Sequence, residues 1–436
     1  MVKSLGERIK ALRKDAKMTQ TDLAGTEMTK SMLSQIENNL ATPSMKNMQY
    51  IAARLGRPMS YFLEDDSYRS TLPVEEVRES LKEVRQLLDT RRNAEALAKL
   101  EEIQSKYKLD HDSKLYADFL ASYGEGLIEF NKNEEGTSKI KEAVEIYKSK
   151  FLYIEAAKVH QNLMAVYWNR FEYDHCLSIL EESLSIYGAS INKDYTFEIE
   201  ALYIRAILMG GLDQLEESIQ ATEEALAISK HTNIYYRSDE LYKNMAVMNA
   251  FLGRLEHFNE YMDKGRQFAQ FTENHTVLAS IEGICGMYQI EMGQPLNALN
   301  YLEQALKYSE KAWGFVYTEK AKALYLLKRY DESLAAVRQV EYPSYTPFKY
   351  DYLHLWSSKI YEGLSLHKLG KQQEALQCIL SSIEKMDIVG VSKSLAFAYK
   401  SLSEVYSGSG DYEKAFAALK KSNELEELAQ KNKLYY

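Results

Sequence analysis

Residues 19–65 read TQTDLAGTEMTKSMLSQIENNLATPSMKNMQYIAARLGRPMSYFLED. Thr19 is placed to cap a short helix, Gln20 to Ala24, with Leu23 and Ala24 turned inward. The turn Gly25-Thr26-Glu27-Met28 follows, and Thr29 is the next cap, opening a helix from Lys30 to Asn38 with Leu33 and Ile36 on its apolar side. Pro43 and Ser44 open a fourth helix, in which Met48, Ile51, Ala52 and Leu55 recur at helical spacing. Pro58 precedes a short last helix carrying Tyr61, Phe62 and Leu63. Upstream, Leu5, Ile9 and Leu12 form an i, i+4, i+7 stripe, so the first helix buries one face and exposes Arg8, Lys10 and Lys14. Five short helices are therefore expected between Leu5 and Leu63.

The carriers Thr19-Gln20, Leu23-Ala24, Leu33-Ser34-Gln35-Ile36-Glu37, Pro43-Ser44, Ile51-Ala52 and Leu55 resemble the five-helix helix-turn-helix of phage repressors and their bacterial relatives. One departure is a turn between helices 2 and 3 that is a residue shorter than in the common repressor pattern. In such a motif the N-terminal half of helix 3 enters the major groove of double-stranded DNA. The resemblance makes Thr29, Lys30, Ser31, Met32, Ser34 and Gln35 the residues that face bases or phosphates. Gln35 suits an adenine edge, Lys30 a guanine or phosphate, and Met32 a thymine methyl. Gln20 matches the family position that holds a backbone phosphate, with Asn38, Asn39 and Ser44 as further phosphate candidates. Arg13 and Glu37 match positions that form an internal ion pair.

Charge is distributed to suit this. The 436-residue chain carries −9, yet residues 1–63 hold ten Lys/Arg against five Asp/Glu, giving +5 and leaving −14 for the remainder. A basic module on an acidic body lets a polyanion attract one end and repel the other. Cys176, Cys285 and Cys378 lie far apart without CxxC or nearby His, which argues against disulfide frameworks and zinc sites and for packing roles. No apolar run reaches membrane-spanning length and the N-terminus has no signal-like apolar core, so a cytoplasmic protein is expected. HExxH, a Gly-rich phosphate loop and a Ser/His/Asp signature are all missing, and the eight histidines are scattered. Neither a conventional enzyme nor a cofactor is expected.

Beyond the first module, periodicity governs the sequence. Loop starts fall near residues 171, 213, 253, 293, 328, 370 and 410, a period close to forty. Two places past each loop start stands a usually apolar residue, and three places later a usually small one. The pairs are Tyr173…Cys176, Leu215…Ser218, Pro295…Ala298, Tyr330…Ser333, Gln372…Ala375 and Tyr412…Ala415; Leu255…Phe258 breaks the small-residue rule. A second small residue precedes each loop by seven positions: Gly126, Ala206, Ala246, Gly286, Ala321, Gly363 and Ser403, with Met164 the exception. Small residues at fixed places let paired helices approach closely.

LGKQQEALQCIL (369–380) and SGDYEKAFAALKKS (409–422) resemble tetratricopeptide repeats. The expected fold is all-α: an N-terminal five-helix repressor-type helix-turn-helix domain (1–66), a linker (67–73), and a tetratricopeptide-like right-handed helical solenoid (74–436) of about nine helix pairs. Such stacked arrays present a concave surface built from the first helix of each pair. An extended peptide there needs donor–acceptor side chains along the groove, and Gln161, Asn162, Tyr203, Lys243, Asn244, Gln289, Lys320 and Lys322 are the candidates on the central first helices.

Together the two parts resemble the peptide-responsive quorum-sensing transcription regulators of Gram-positive bacteria, and by length and repeat count the NprR-like branch. That resemblance implies a homodimer or higher homo-oligomer that reads a two-fold operator, controlled by a short signalling peptide in the groove. Two other readings stand beside it. One is a protein-interaction module acting on a response regulator of a phosphorelay; the other is a non-sensing phage-type repressor whose repeats only oligomerise.

Overall fold

The computed structural model describes residues 5–38, 40–41, 43–57, 59, 62, 74–308, 314–343, 346 and 348–434. Every regular element among them is helical. The first module contains α1 (Leu5–Asp15), α2 (Gln20–Ala24), α3 (Lys30–Glu37) and α4 (Met45–Arg54). Of the expected fifth helix, Pro58, Tyr61 and Leu63 lie outside the described residues, as does the linker 67–73. Ile9, Leu23, Leu33 and Ile51 are fully buried at the centre, with Ile36, Met48 and Phe62 around them. Thr19 closes a capping box with Asp22, and Thr29 and Ser44 each accept a hydrogen bond from the third backbone N–H downstream. The shortened turn depends on Gly25: its φ is +54°, and a Cβ there would stand 2.0 Å from the Tyr50 hydroxyl.

Nine helix pairs follow among the described residues. The first three are α5 (Val74–Asp89) with α6 (Asn93–Lys106), α7 (Lys114–Glu129) with α8 (Asn133–Ser149), and α9 (Tyr153–Gln161) and α10 (Ala165–Trp168) with α11 (Tyr173–Gly188). A 3₁₀ turn, Asn162–Met164, joins α9 to α10. Next come α12 (Tyr195–Gly211) with α13 (Leu215–Thr232), α14 (Ser238–Phe251) with α15 (Phe258–Phe271), and α16 (His275–Glu291) with α17 (Pro295–Tyr308). The last three are α18 (Gly314–Leu326) with α19 (Tyr330–Val337), α20 (Lys349–Lys368) with α21 (Gln372–Met386), and α22 (Lys393–Gly408) with α23 (Tyr412–Lys431). The chain divides into two compact units, Met1–Leu163 with Ser185–Ile191 and Met164–Leu184 with Asn192–Tyr436.

The sequence period has a backbone cause. Each loop start, Phe171, Asp213, Gly253, Gly293, Lys328, Gly370 and Gly410, has a positive φ between 58° and 80°. This left-handed residue ends the first helix of a pair and turns the chain into the second. Tyr173, Leu215, Pro295, Tyr330, Gln372 and Tyr412 are each the first residue of their second helix. The fifth pair differs, because α15 begins at Phe258 rather than Leu255.

The small residues mark where paired helices touch. Ser218 Oγ donates to the Ala206 carbonyl at 2.7 Å, Ser333 Oγ to Ala321 at 2.9 Å, and Ser403 Oγ to Ala415 at 2.7 Å. At Gly363 an added Cβ would lie 2.5 Å from Ile379 and 2.8 Å from the Ala375 carbonyl. Cys176 and Cys285 are buried and Cys378 is half-buried; burial pushes their thiols up to about 12, 12 and 11. They are inert packing groups at neutral pH. Among the described residues, no helix is long and apolar enough to cross a membrane.

Candidate functional site

Helix α3 is held by a buried charge pair beneath it. Arg13 on α1 donates to Glu37 through Nε at 2.6 Å and Nη2 at 2.9 Å, and its Nη1 reaches the Met18 carbonyl at 2.8 Å. Gln20 Nε2 donates to the same carboxylate at 2.9 Å. Burial raises the Glu37 carboxyl pKa, but the hydrogen bonds from Arg13 and Gln20 outweigh it and leave the group below its usual range. The last turn of α3 is thereby locked to α1 and the start of α2. This is the internal ion pair that the repressor resemblance implies.

With Leu33, Ile36 and Glu37 buried, the helix rotation leaves Thr29, Lys30, Ser31, Met32, Gln35 and Asn38 exposed and Ser34 half-buried. Several of these polar groups are already engaged. Thr29 Oγ1 caps α3, Met32 Sδ accepts from Asn47 Nδ2 at 3.6 Å, and Asn38 Oδ1 accepts from Lys10 Nζ at 3.5 Å. Ser44 Oγ caps α4 by accepting from Asn47 N at 3.3 Å. Gln20 is half-buried with one amide hydrogen committed to Glu37, so a single hydrogen remains for an anion. Lys30 and Ser31 in the first turn of α3, and Gln35 one turn on, form its outward patch. Asn39 lies outside the described residues.

The eight candidates on the array separate by helix face. In the first unit, Asn162 Nδ2 donates to Glu125 Oε2 at 3.3 Å, the carboxylate that Arg85 Nη1 also holds at 2.7 Å. Gln161 is half-buried, and its Nε2 is shielded from water without a hydrogen-bond partner. In the second unit, Tyr203 donates to Glu240 at 3.4 Å, its ring lies 4.8 Å beneath the Arg237 guanidinium, and Lys243 pairs with the same Glu240. Arg237 is in turn bound to Glu200.

One expectation needs correction. Asn244 is 4% exposed and donates to Thr222 at 2.8 Å and Ser218 at 3.3 Å, both on α13. It ties α14 to the second helix of the preceding pair and presents nothing to a groove. Lys320 is half-buried on α18, and Lys322, about 200° further around the same helix, donates to Glu291 at 2.6 Å. Gln289 is half-buried on α16.

Lys322 opens onto a cavity of about 700 Å³ in the second unit, walled by first helices α14, α16, α18, α20 and α22 and by the start of α15. Phe251, Phe258, Met287, Tyr288 and Phe397 supply apolar surface, and Glu291, Glu319, Lys322 and His354 the polar groups. Among the eight sequence candidates, Lys322 is the one that lines it. The residues missed include the acidic Glu291 and Glu319, the aromatics and the basic Lys393. Glu319 is 1% exposed, and burial pushes its carboxyl up to about 7; burial likewise pushes Asp351 on α20 up to about 7. Charge within an apolar helix stretch was the available signal, as in Phe315-Val316-Tyr317-Thr318-Glu319.

Residues 9–62 match the Helix-turn-helix family. A 65-residue segment is 34% identical to the immunity repressor protein of Bacillus phage phi105, covering 15% of this chain and 45% of the repressor. The chain thus spans less than half the length of that curated relative. Among solved structures, the apo form of the quorum sensor NprR from B. thuringiensis superimposes with a TM-score of 0.52 at 15% identity, covering 80% of this chain and 99% of NprR. The Rap conjugation gene regulator of the plasmid pLS20, solved in complex with the Phr* peptide, also gives 0.52 at 15% identity, covering 84% of this chain and 99% of that one. The chain therefore carries a helix-turn-helix family module at residues 9–62, followed by an array with the helical-repeat fold of NprR and the pLS20 Rap regulator.

Proposed function

We propose that this chain is a sequence-specific DNA-binding transcription regulator controlled by a short signalling peptide bound on the inner face of its repeats. The observation that carries the DNA half is the exposed patch of Lys30, Ser31 and Gln35 on a helix anchored from below by Arg13 and Glu37. A rigid helix with an outward Gln amide, which donates and accepts at once, and a cation in its first turn is what base-edge readout requires. Exposed lysines around it supply the phosphate attraction. The DNA contacts assigned are Gln20, Thr29, Lys30, Ser31, Met32, Ser34, Gln35, Asn38, Asn39 and Ser44, with Gln35 and Lys30 the base readers.

The peptide half is supported by a large, mostly apolar cavity with a few converging polar groups, within a fold that in the pLS20 Rap regulator was solved with a peptide bound. Residues 1–66 form the DNA-binding domain, 67–73 the connection and 74–436 the peptide-binding array. The protein acts in the cytoplasm as a homodimer on a two-fold operator. Peptide binding controls DNA binding by favouring one arrangement of the domains, with a coupling of roughly 1–3 kcal/mol.

The test is an operator-binding and light-scattering titration of the full chain, with and without short peptides from the neighbouring reading frame. A peptide-dependent change in DNA affinity or mass supports the reading. Unchanged DNA binding with every peptide, at normal operator affinity, would remove the sensing half and assign the array to a protein partner or to oligomerisation.

A further inference from the structure

Two capped helices meet through a side-chain bond beside the outward patch of α3. Thr29 and Ser44 are their N-caps, and the backbone N–H groups of Met32 and Asn47 donate to the cap hydroxyls at 3.1 and 3.3 Å. Met32 and Asn47 therefore hold the same place in the first turns of α3 and α4. Their side chains then join: Asn47 Nδ2 donates to Met32 Sδ at 3.6 Å. Asn47 is 8% exposed and is buried on α4 together with the core residues Met48 and Ile51. Met32 is 37% exposed, an apolar member of a face otherwise made by Thr29, Lys30, Ser31 and Gln35.

We propose that Asn47 is a positioning residue for base readout: by holding the Met32 sulfur against α4, it presents the Met32 methyl to a thymine methyl in the major groove. The proposal rests on the DNA reading of α3 and adds to it a residue that itself touches no base. The gain lies in rotamers. Two side-chain bonds decide where a methionine sulfur lies, and a third swings the terminal methyl around it. With the backbone capped and the sulfur bonded to Asn47, only rotation about the Cγ–Sδ bond is left. A free methionine on a helix surface has all its bonds to immobilise on meeting a base, and that lost freedom weakens the contact. Asn47 suits the task because a thioether only accepts, so it takes the amide N–H and not the amide oxygen.

Thymine is the base that presents a methyl group in the major groove, and apolar side chains read it by contact. Met32 supplies the largest apolar surface on this face of α3, while Lys30, Ser31 and Gln35 suit polar edges. Loss of the Asn47 bond therefore removes discrimination at a thymine and leaves readout by Gln35 and Lys30 in place. An Asn47 that merely braced α4 against α3 would instead weaken every sequence by the same factor.

The experiment uses the full chain and the duplex it selects from a random pool, with each thymine in turn replaced by uracil. That replacement deletes the methyl and keeps the base pair. Measured by fluorescence anisotropy, uracil at one thymine position should weaken binding roughly four-fold, the scale of one methyl-sized apolar contact. Asn47→Ala and the isosteric Asn47→Asp both lose the amide donor and keep the Ser44 cap, which uses the backbone N–H. Each should bring the thymine-to-uracil ratio below roughly two-fold, whatever uniform loss accompanies it. Met32→Ala, a change at an exposed position, should abolish the ratio at the same thymine, and adding Asn47→Ala should change it no further. A ratio that survives both Asn47 variants, a ratio that survives Met32→Ala, or the lack of any thymine that shows one overturns the proposal. Failure of the DNA reading is distinct: the chain then selects no duplex at all, and the proposal falls with it.

Discussion

Around α3, Lys14, Lys17 and Lys30 stand exposed, and among the described residues none of them has a carboxylate partner, whereas inside the array Lys322 meets Glu291, Lys243 meets Glu240 and Arg237 meets Glu200. Both regions are rich in cations, but they use them in opposite ways. Exposed, unpaired lysines release counter-ions when they meet phosphates, so their effect sums over the whole surface and falls with salt. Cations paired in this way have little net field to offer. In the cavity that Lys322 lines, what remains is mostly apolar wall. The helix-turn-helix module thus presents unpaired positive charge, and the array presents paired charge and apolar walls.

The sharpest way to break this comparison is at the buried pair supporting α3. Glu37→Ala leaves the Arg13 guanidinium buried without its carboxylate and should cost about 3–5 kcal/mol of local stability, with loss of operator binding. Amide exchange in the full chain should show α1–α4 opening while α12–α23 keep their protection. Unchanged protection in α3 would mean that the apolar core alone orients it.

The next effect concerns Glu319 and stability. Its carboxyl holds a proton in the folded chain up to about pH 7, while in the unfolded chain it ionises near 4.5. The folded state therefore binds more protons in that window, and stability falls as pH rises from about 4.5 to 7. Glu319→Gln should remove this loss, making the variant more stable than the parent by on the order of 2–3 kcal/mol at pH 8 and nearly equal at pH 5. Denaturant melts at the two pH values decide it, and a variant offset that is constant with pH would refute the assignment.

Smaller effects sharpen the picture at each end. Gln35→Ala should cost roughly 1–3 kcal/mol at one operator base pair and relax specificity there, while Gln20→Ala weakens all sequences alike. Uniform losses for both across operator mutants would misplace α3. Gly363→Ala should cost roughly 1–3 kcal/mol, because its Cβ meets Ile379 and the Ala375 carbonyl across the helix pair. A neutral melt would show that α20 and α21 can separate freely. Last, Asn244→Ala should cost about 1 kcal/mol of array stability through its bonds to Ser218 and Thr222, and leave peptide affinity unchanged. A selective loss of peptide affinity would return Asn244 to the groove.

The legible parts share a property: they are local. Caps at Thr19, Thr29 and Ser44 fall where the sequence places them, because a capping hydroxyl and its N–H partner are three residues apart. The Arg13–Glu37 pair could be anticipated only because the resemblance supplied the fold that joins α1 to α3. Asn244 was misjudged because an amide on a first helix looks the same in sequence whether it faces the groove or the helix behind. Glu319 and His354 went unremarked because they sit on different helix pairs, and neither has a neighbour in sequence that announces the other.

What the sequence by itself determined is the repeat: a left-handed residue at Phe171, Asp213, Gly253, Gly293, Lys328, Gly370 and Gly410, and small residues where helices cross, as at Ala206 with Ser218. These follow from backbone sterics and side-chain size within one unit, so a period in the residues becomes a period in space. What only the tertiary structure decided is which polar groups look into the cavity. Successive residues on a helix diverge by 100°, so Lys320 and Lys322 point about 200° apart, and it is Lys322 that meets Glu291 and lines the cavity. Burial by neighbouring pairs, a sum over residues distant in the chain, then decides whether a carboxyl such as Glu319 keeps its proton.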